Sequence, residues 1–169
     1  MMLGWKELPY EVLHPGEFYY DLLKEGKIKI ARKIKEPVTL QDPCNIIRRA
    51  GAADKFRYFV NATCEDFREM YPNREHNFCC GAGGGLAALS NWAVHKAKGN
   101  RVKAEQIKAT GAKICINPCH NCSTGIKDVI KFWKLDVKQM FFDEILVNTM
   151  EIPRKFWIGE EAPKPETGH

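Results

Sequence analysis

Apolar residues recur at intervals of three and four along much of the chain, the spacing that places them on one face of a helix. Thr63 completes the clearest repeat, which begins at Phe56 and predicts a helix with one buried face. Glycines follow several of these segments and are typical helix stops. Helices are predicted around Phe18–Leu23 and Phe56–Thr63, over Leu86–Lys98 with Leu89, Trp92, Ala93 and Ala97 inward, over Arg101–Thr110, around Ile126–Trp133, and over Phe141–Val147.

Short apolar and β-branched runs between these helices predict strands. Ala112–Ile116 is the most convincing run, and Val38–Gln41 forms a second one between two prolines. Further extended segments are predicted near Phe67–Tyr71 and over Val137–Met140. Because strands alternate with helices, the predicted fold class is α/β, with a small parallel sheet flanked by helices.

Length and charge limit the possible functions. With 169 residues the chain has the size of one domain, long enough to bury a core without disulfides. The formal charge of +5 is modest, because 21 acidic residues are interspersed with 26 basic ones, so no binding to nucleic acid is expected. The longest basic segment, Lys24–Lys35, is either a solvated flank or a docking patch.

The cysteines are the most informative residues. The sequence has no apolar run near the roughly 18 residues that a membrane span requires and no signal-peptide pattern, so a soluble, cytoplasmic protein is expected. In a cytosol that keeps thiols reduced, seven cysteines indicate metal binding or catalysis before disulfides.

Cys79 and Cys80 are adjacent and lead into a glycine-rich turn that begins at Gly81. A disulfide between neighbouring residues is strained, whereas two thiolates can be directed at one metal centre without strain. The glycines suit a backbone that lies close to a cofactor, or a turn with positive φ. This pair is therefore predicted to be part of a metal site.

Three further cysteines are predicted to meet this pair at one edge of the sheet. Cys44 follows the first strand, and Cys119 and Cys122 follow the strand of Ala112–Ile116. The carboxyl ends of parallel strands are where open α/β sheets place their sites. Since thiolates favour zinc or iron–sulfur centres, the residues alone leave both open.

The surrounding motifs resemble those of a known family. Asp42-Pro43-Cys44-Asn45, the Cys79-Cys80-Gly81 turn, Thr110-Gly111-Ala112 and the final Cys-x-x-Cys pair are together similar to the cysteine-rich CCG domain. That domain occurs in the catalytic subunit of heterodisulfide reductase and in related iron–sulfur oxidoreductases. The resemblance covers about residues 37–150, leaving 1–36 as an N-terminal extension with a short helix and 151–169 as a tail.

The resemblance implies a cofactor and an activity. It implies a [4Fe-4S] cluster of the non-cubane type, at which the S–S bond of a small thiol or a protein disulfide is cleaved or formed. The ligands and catalytic residues implied in this way are Cys44, Cys79, Cys80, Cys119 and Cys122, with Gly81 beside the cofactor.

The resemblance also implies partners. Family members usually carry two such domains or a ferredoxin-like module, and this sequence has one domain without a ferredoxin run. We therefore expect a fragment, or an enzyme subunit that is inactive until a ferredoxin-like or other electron-transfer subunit supplies electrons. The expected location is the cytoplasm or the periphery of a membrane redox complex. Arg48, Arg49 and Arg101 are either anion-binding groups for a charged disulfide or ordinary helix-surface arginines.

A zinc-binding docking module of a redox complex is the main alternative. Four thiolates satisfy a closed tetrahedral Zn²⁺ site, and some CCG domains are thought to hold zinc. The interface in that case would use the aromatic residues near both ends, namely Trp5, Tyr19, Tyr20, Phe156 and Trp157.

Other interpretations account for fewer of the residues. A thioredoxin-like Cys-x-x-Cys leaves three cysteines unexplained, and the glycine run has Leu86 where a dinucleotide fingerprint needs its third glycine. Cys64 and Cys115 are expected to be small buried residues outside the site. His76 and His120 flank motif cysteines and are expected to be surface groups or neighbours of the site rather than ligands.

Overall fold

A computed structural model of the chain describes residues 9–152, and three parallel strands form its sheet. The strands are β1 (Val38–Leu40), β2 (Ile114–Asn117) and β3 (Lys138–Phe141), with β2 in the centre. Leu40 is opposite Ile116, which is opposite Met140. The α/β fold class predicted from the sequence is confirmed.

Six α-helices flank the sheet within residues 9–152. They are α1 (Pro15–Lys24), α2 (Ala53–Thr63), α3 (Ala93–Gly99), α4 (Arg101–Thr110), α5 (His120–Trp133) and α6 (Phe142–Thr149). A π-helical segment covers Cys44–Arg49, and 3-10 turns cover Arg74–His76, Leu86–Ala88 and Ser90–Trp92. No helix in this range is both long and apolar enough to cross a bilayer.

One face of the sheet carries an apolar layer. Side chains alternate between the faces of a strand, so Val38 and Leu40 lie on the same face as Ile114, Ile116 and Met140. Helices α1, α2 and α6 cover this face with aromatic rings, chiefly Phe56, Phe59 and Phe142. The rings of Phe59 and Phe142 stack with their centroids 3.8 Å apart. We call this set of residues the apolar layer.

The other face carries a more polar layer. Thr39, Cys115 and Gln139 are aligned across the three strands on this face, beneath α4 and α5. Ile107 and Ile126 from those helices supply part of its apolar packing. The buried side-chain atoms without a hydrogen-bond partner in the described chain all belong to residues of this face: Thr39 Oγ1, Gln41 Oε1, Asn117 Oδ1 and Gln139 Nε2. We call this set the polar layer.

Two sequence predictions about secondary structure are wrong. Phe67–Tyr71 is not a strand, because only Phe67 pairs, in a single parallel bridge with Val38 at the outer edge of β1. Leu86–Lys98 is not one helix but two short 3-10 turns followed by α3. Leu89 and Trp92 are accordingly 49% and 56% exposed rather than inward.

The glycines before Leu86 explain the second error. Gly84 and Gly85 have φ values of 60° and 83°, a left-handed conformation that leads into tight turns instead of an α-helix. Farther along, Ala97 is buried as predicted, while Ala93 is half-buried.

The terminal regions are described only in part. Tyr19 donates a hydrogen bond to Asp143 Oδ1 at 2.8 Å, and Tyr20 packs edge-on against Tyr58. Trp5, Phe156 and Trp157 lie outside the described residues, as does the tail from Pro153.

Candidate metal centre

Cys44 stands where the chain leaves the sheet after β1. Pro43 has an extended backbone (φ −77°, ψ 135°) and is the residue immediately before the π-helical segment that Cys44 begins. The fixed φ of proline turns the chain at this point, and the Cys44 side chain is left partly exposed. Its thiol acts electrostatically on that of Cys79.

The Cys79-Cys80 turn presents one exposed and one buried sulfur. Gly81 closes the turn with φ +77°, and its backbone N–H donates to Cys79 Sγ at 3.3 Å. A Cβ at Gly81 would lie 3.0 Å from the side-chain nitrogen of Asn100, which itself donates to the Cys79 carbonyl at 3.2 Å. Glycine is therefore favoured here by its positive φ, and a larger residue would also press on the Asn100 side chain.

Cys119 and Cys122 begin α5 directly after β2. Cys119 is the residue that caps the helix, and Cys122 lies in the first turn with its side chain buried. The Cys119 sulfur is near the backbone N–H groups of Asn121 and Cys122, although no side-chain capping bond is formed. The start of a helix stabilises a thiolate, because its free N–H groups carry partial positive charge.

Gly125, one turn into α5, lets the helix approach the Cys79-Cys80 turn. A Cβ at Gly125 would lie 2.5 Å from the Cys80 carbonyl oxygen and 2.9 Å from the Ala82 Cβ. A non-glycine residue would thus displace the segment that brings Cys80 to Cys122. Sequence reasoning missed this residue, although a glycine inside a helix that follows Cys-x-x-Cys indicates close packing.

The five cysteines form one continuous series of interacting thiols. Each thiol acts electrostatically on the next in the order Cys44, Cys79, Cys80, Cys122 and Cys119. We call this the thiol series. The five predicted ligand residues therefore lie on loops that follow β1 and β2 and on the glycine-rich turn, and Cys80, Cys122 and Cys119 belong to one packed cluster. Their binding to one metal centre stays a prediction.

The pKa values within the thiol series are shifted in opposite directions. Hydrogen bonding from Cys122 lowers the pKa of Cys80 to about 6 and is the main reason that the pKa of Cys119 falls to about 5. The pKa of Cys122 is raised instead, since its proton is shared with both neighbours. Burial, followed by the nearby Cys80 and Cys44, raises the pKa of Cys79.

Asp42 ties the Cys44 turn to the segment before Cys79. Its carboxylate accepts from Arg57 Nη1 and Nη2 at 2.7 and 2.8 Å and from the backbone N–H of Arg74 at 2.7 Å. Arg57 also donates to Glu69. Because Asp42 and Arg57 are both buried, this is a charged network with its partners satisfied.

Asn77 and Arg48 reinforce the same connection. The Asn77 side chain donates to the Asp42 carbonyl at 2.8 Å, while Arg48 donates to the carbonyls of Glu75 and Asn77 at 2.7 and 2.9 Å. Arg48 therefore acts as a brace between two loops. These bonds engage its Nε and Nη2 atoms, while the side chain as a whole is exposed.

The other candidate residues lie outside the thiol series. Cys64 is buried in the apolar layer beside Thr63, and Cys115 is buried in the polar layer on β2. His76 is exposed and pairs with Glu75, whereas the His120 ring packs against Phe141. Arg101 pairs with Glu105 on the surface of α4, and Arg49 is exposed at the end of the π-helical segment.

Two residues near the site were missed by sequence reasoning. His14 caps α1 by accepting the Gly16 N–H through Nδ1, and it lies beside Pro118 and Cys119, where burial lowers its pKa. Lys103 is fully buried under the thiol series. Neither residue lies near a motif cysteine in sequence, so only the fold reveals their positions.

The donor set limits the groups that could bind. The thiol series supplies five soft sulfur donors, which fit an iron–sulfur cluster or zinc and not a hard cation. Over residues 9–152, no three His, Cys, Asp and Glu side chains form a ready ligand set for a metal ion.

Comparisons with known proteins agree with the pattern of cysteines. Residues 38–127 match the family model described as CCG, cysteine-rich domain. The chain is 38% identical over 138 residues to one subunit of the dihydromethanophenazine:CoB–CoM heterodisulfide reductase of Methanosarcina mazei, covering 80% of this chain and 33% of that protein.

Two other relatives carry different names. The EtfAB:quinone oxidoreductase of Syntrophomonas wolfei is 31% identical over 149 residues, which is 84% of this chain and 21% of that protein. The Hdr-like menaquinol oxidoreductase iron-sulfur subunit of Archaeoglobus profundus is 29% identical over 133 residues, 75% of this chain and 24% of that protein. The chain thus spans a third or less of the length of these relatives.

Proposed function

Because the chain belongs to the CCG cysteine-rich domain family, we propose that it is an iron–sulfur domain of a heterodisulfide-reductase-like oxidoreductase. The single observation that supports this most is the thiol series, in which five cysteines from three separate segments act electrostatically on their neighbours in the series. The relatives' names, with heterodisulfide reductase and iron–sulfur subunits among them, agree with a redox role.

The cofactor in this proposal is a [4Fe-4S] cluster of the non-cubane type. Cys44, Cys79, Cys80, Cys119 and Cys122 would hold it, with Gly81 allowing the backbone to lie close by. When bound, such a cluster supplies one-electron steps and a coordination position that can take up a substrate sulfur. Zn²⁺ on the same thiols is the alternative, and it would make the chain a docking module without chemistry.

The residues of the chain would control access to this centre. Cys79 is exposed while Cys80 and Cys122 are buried, so a substrate would approach from the Cys79 side. Arg49 is the remaining arginine near Cys44 that could bind an anionic group of a disulfide, since Arg48 is held by backbone carbonyls.

The proposed reaction needs an external source of electrons. Cleavage of a disulfide breaks one S–S bond, consumes two electrons and two protons, and yields two thiols; formation of the bond is the reverse. A ferredoxin-like or other electron-transfer subunit would supply the electrons. The chain should hold its cofactor yet cleave no disulfide until that partner is added.

A second candidate is an electron relay that acts on no disulfide. It is favoured by relatives whose names contain quinone or menaquinol rather than a disulfide. Both candidates require the same cluster, and they differ in whether a disulfide is consumed.

Anaerobic reconstitution with iron and sulfide tests the proposal. We expect a brown protein with about four iron per chain, no stable centre in Cys79→Ser or Cys80→Ser, and full loading in Cys64→Ser. A colourless chain that binds a single zinc would reject the cluster. If the loaded chain accepts electrons from a reduced ferredoxin but leaves disulfides intact, the relay is the correct function.

A further inference from the structure

Helix α4 carries a lysine with no exposed surface. The Nζ of Lys103 donates to Asn77 Oδ1 at 2.9 Å, lies 3.8 Å from Met70 Sδ, and also donates to Gln106 Oε1. These three partners are all neutral. A buried ammonium group is costly unless a negative charge compensates it, so its counter-charge has to be found elsewhere.

Neither nearby acidic group provides that charge. Asp42 acts on Lys103 from a distance, but its carboxylate is already bound by the two Arg57 nitrogens and the Arg74 N–H. Burial raises the pKa of Cys115 to about 12, so this neighbouring thiol is neutral. Among the described residues, no carboxylate forms a salt bridge with Lys103.

The remaining groups that act electrostatically on Lys103 are Cys122 and Cys80 of the thiol series. Both become thiolates when they bind a metal, so a loaded centre supplies the negative charge that the buried ammonium group lacks. Asn77, which accepts its hydrogen bond, lies two residues before Cys79 in the same segment. Burial lowers the pKa of Lys103 to about 8, which reflects how poorly the charge is compensated when the thiols hold no metal.

We propose that Lys103 is a positioning residue that acts as the buried counter-charge of the metal centre. Its fixed positive charge would favour the more negative, reduced state of a thiolate-bound cluster and so raise the reduction potential. This inference rests on the proposed function, because it requires a redox-active group on the thiol series. A purely structural lysine, by contrast, would connect α4 to the segment before Cys79 and leave the potential unchanged.

A redox titration of the loaded chain separates these roles. Lys103→Gln removes the charge and keeps a hydrogen-bond donor, while Lys103→Arg keeps the charge. Lys113→Gln removes a lysine that is exposed and paired with Asp136, so it controls for the change in net charge. Each variant is reconstituted anaerobically, and the oxidised fraction is followed by visible absorption and electron paramagnetic resonance.

At the wild-type midpoint, we expect Lys103→Gln to raise the ratio of oxidised to reduced cluster about tenfold, a shift of about 59 mV to more negative potential for one electron. Lys103→Arg and Lys113→Gln should change that ratio by less than about twofold. A loaded Lys103→Gln variant with the wild-type midpoint would overturn the inference.

The iron content decides the remaining cases. If Lys103→Gln fails to hold a cluster that Lys103→Arg holds, the charge is required and the inference stands. If both variants fail, the shape of lysine matters rather than its charge, and the inference is wrong. A wild-type chain that takes up no iron would instead refute the proposed function.

Discussion

The two faces of the sheet are built in opposite ways. The apolar layer is a continuous packing of aromatic and branched side chains in which Phe59 and Phe142 stack at its centre. The polar layer contains a buried lysine, a buried thiol and the four side-chain atoms without a hydrogen-bond partner among the described residues. Since burial of apolar area stabilises a fold and unpaired polar atoms oppose it, stability should come mainly from the first face and chemistry from the second.

Removal of an aromatic ring from the apolar layer should have the largest effect on folding. Phe59→Ala deletes a fully buried ring, and we expect a loss of about 4 kcal/mol in the free energy of unfolding. Chemical denaturation measures the loss, and iron per folded chain should stay at the wild-type level. Phe132→Ala is the control, because that ring is already 37% exposed. A parallel loss of iron in folded Phe59→Ala would show that the two layers are not separable.

Breaking the charged network of Asp42, Arg57 and Glu69 should lower both the free energy of unfolding and the cluster content. Arg57→Met leaves the buried Asp42 carboxylate without its main partner, and we expect a loss of about 3 kcal/mol together with reduced cluster content. Arg101→Met removes an exposed arginine of a surface pair and should cost less than about 0.5 kcal/mol. Denaturation and iron analysis of both variants give the comparison. Unchanged iron in Arg57→Met would mean that Asp42 does not position the cysteines.

A methyl group at Gly125 should damage the polar layer selectively. Gly125→Ala places a carbon 2.5 Å from the Cys80 carbonyl, so we expect loss of the cluster. Its stability cost should be only about 1–2 kcal/mol, since the better helix propensity of alanine offsets part of the strain. Gly99→Ala is the matched control, because nothing lies within 4 Å of its added carbon. Full iron content in Gly125→Ala would contradict the close approach of α5.

The buried thiol of Cys115 should produce the smallest effect, visible only at alkaline pH. Its pKa is raised to about 12 in the folded chain, so its contribution to stability is complete below the unfolded pKa and is lost as pH rises toward 12. Between about pH 8 and about pH 9.5 the free energy of unfolding of the wild type should fall by about 1 kcal/mol more than that of Cys115→Ala. Urea denaturation at each pH measures the free energy of unfolding. If that free energy falls equally with pH in the two proteins, Cys115 is not shielded from solvent.

The sequence predicted those parts of the molecule that depend on local patterns. The apolar run at Val38, bounded by prolines, predicted β1 and the loop after it that carries Cys44, and the apolar stripe from Ile126 to Trp133 identified α5. The family resemblance directed attention to the five cysteines of the thiol series. The proposal that they bind a cluster is still to be tested by experiment.

The parts that were missed depend on contacts between distant segments. From the sequence of α4 alone, Lys103 would be predicted to lie on the surface. It is buried because Asn77 and Met70, which lie 26 and 33 residues earlier in the chain, pack against it. The Leu86–Lys98 error has a different cause. Helical spacing ignores the left-handed glycines that precede the segment and turn the chain before a helix can start.

The central position of β2 also determines when the centre can be completed during synthesis. Leu40 of β1 pairs with Ile116, so Cys44, Cys79 and Cys80 leave the ribosome before the strand that orders them has been made. At about 5–20 residues per second, this delay lasts on the order of several seconds. A centre that uses all five cysteines, as proposed above, could therefore be completed only after Cys119 and Cys122 at the start of α5 have left the ribosome.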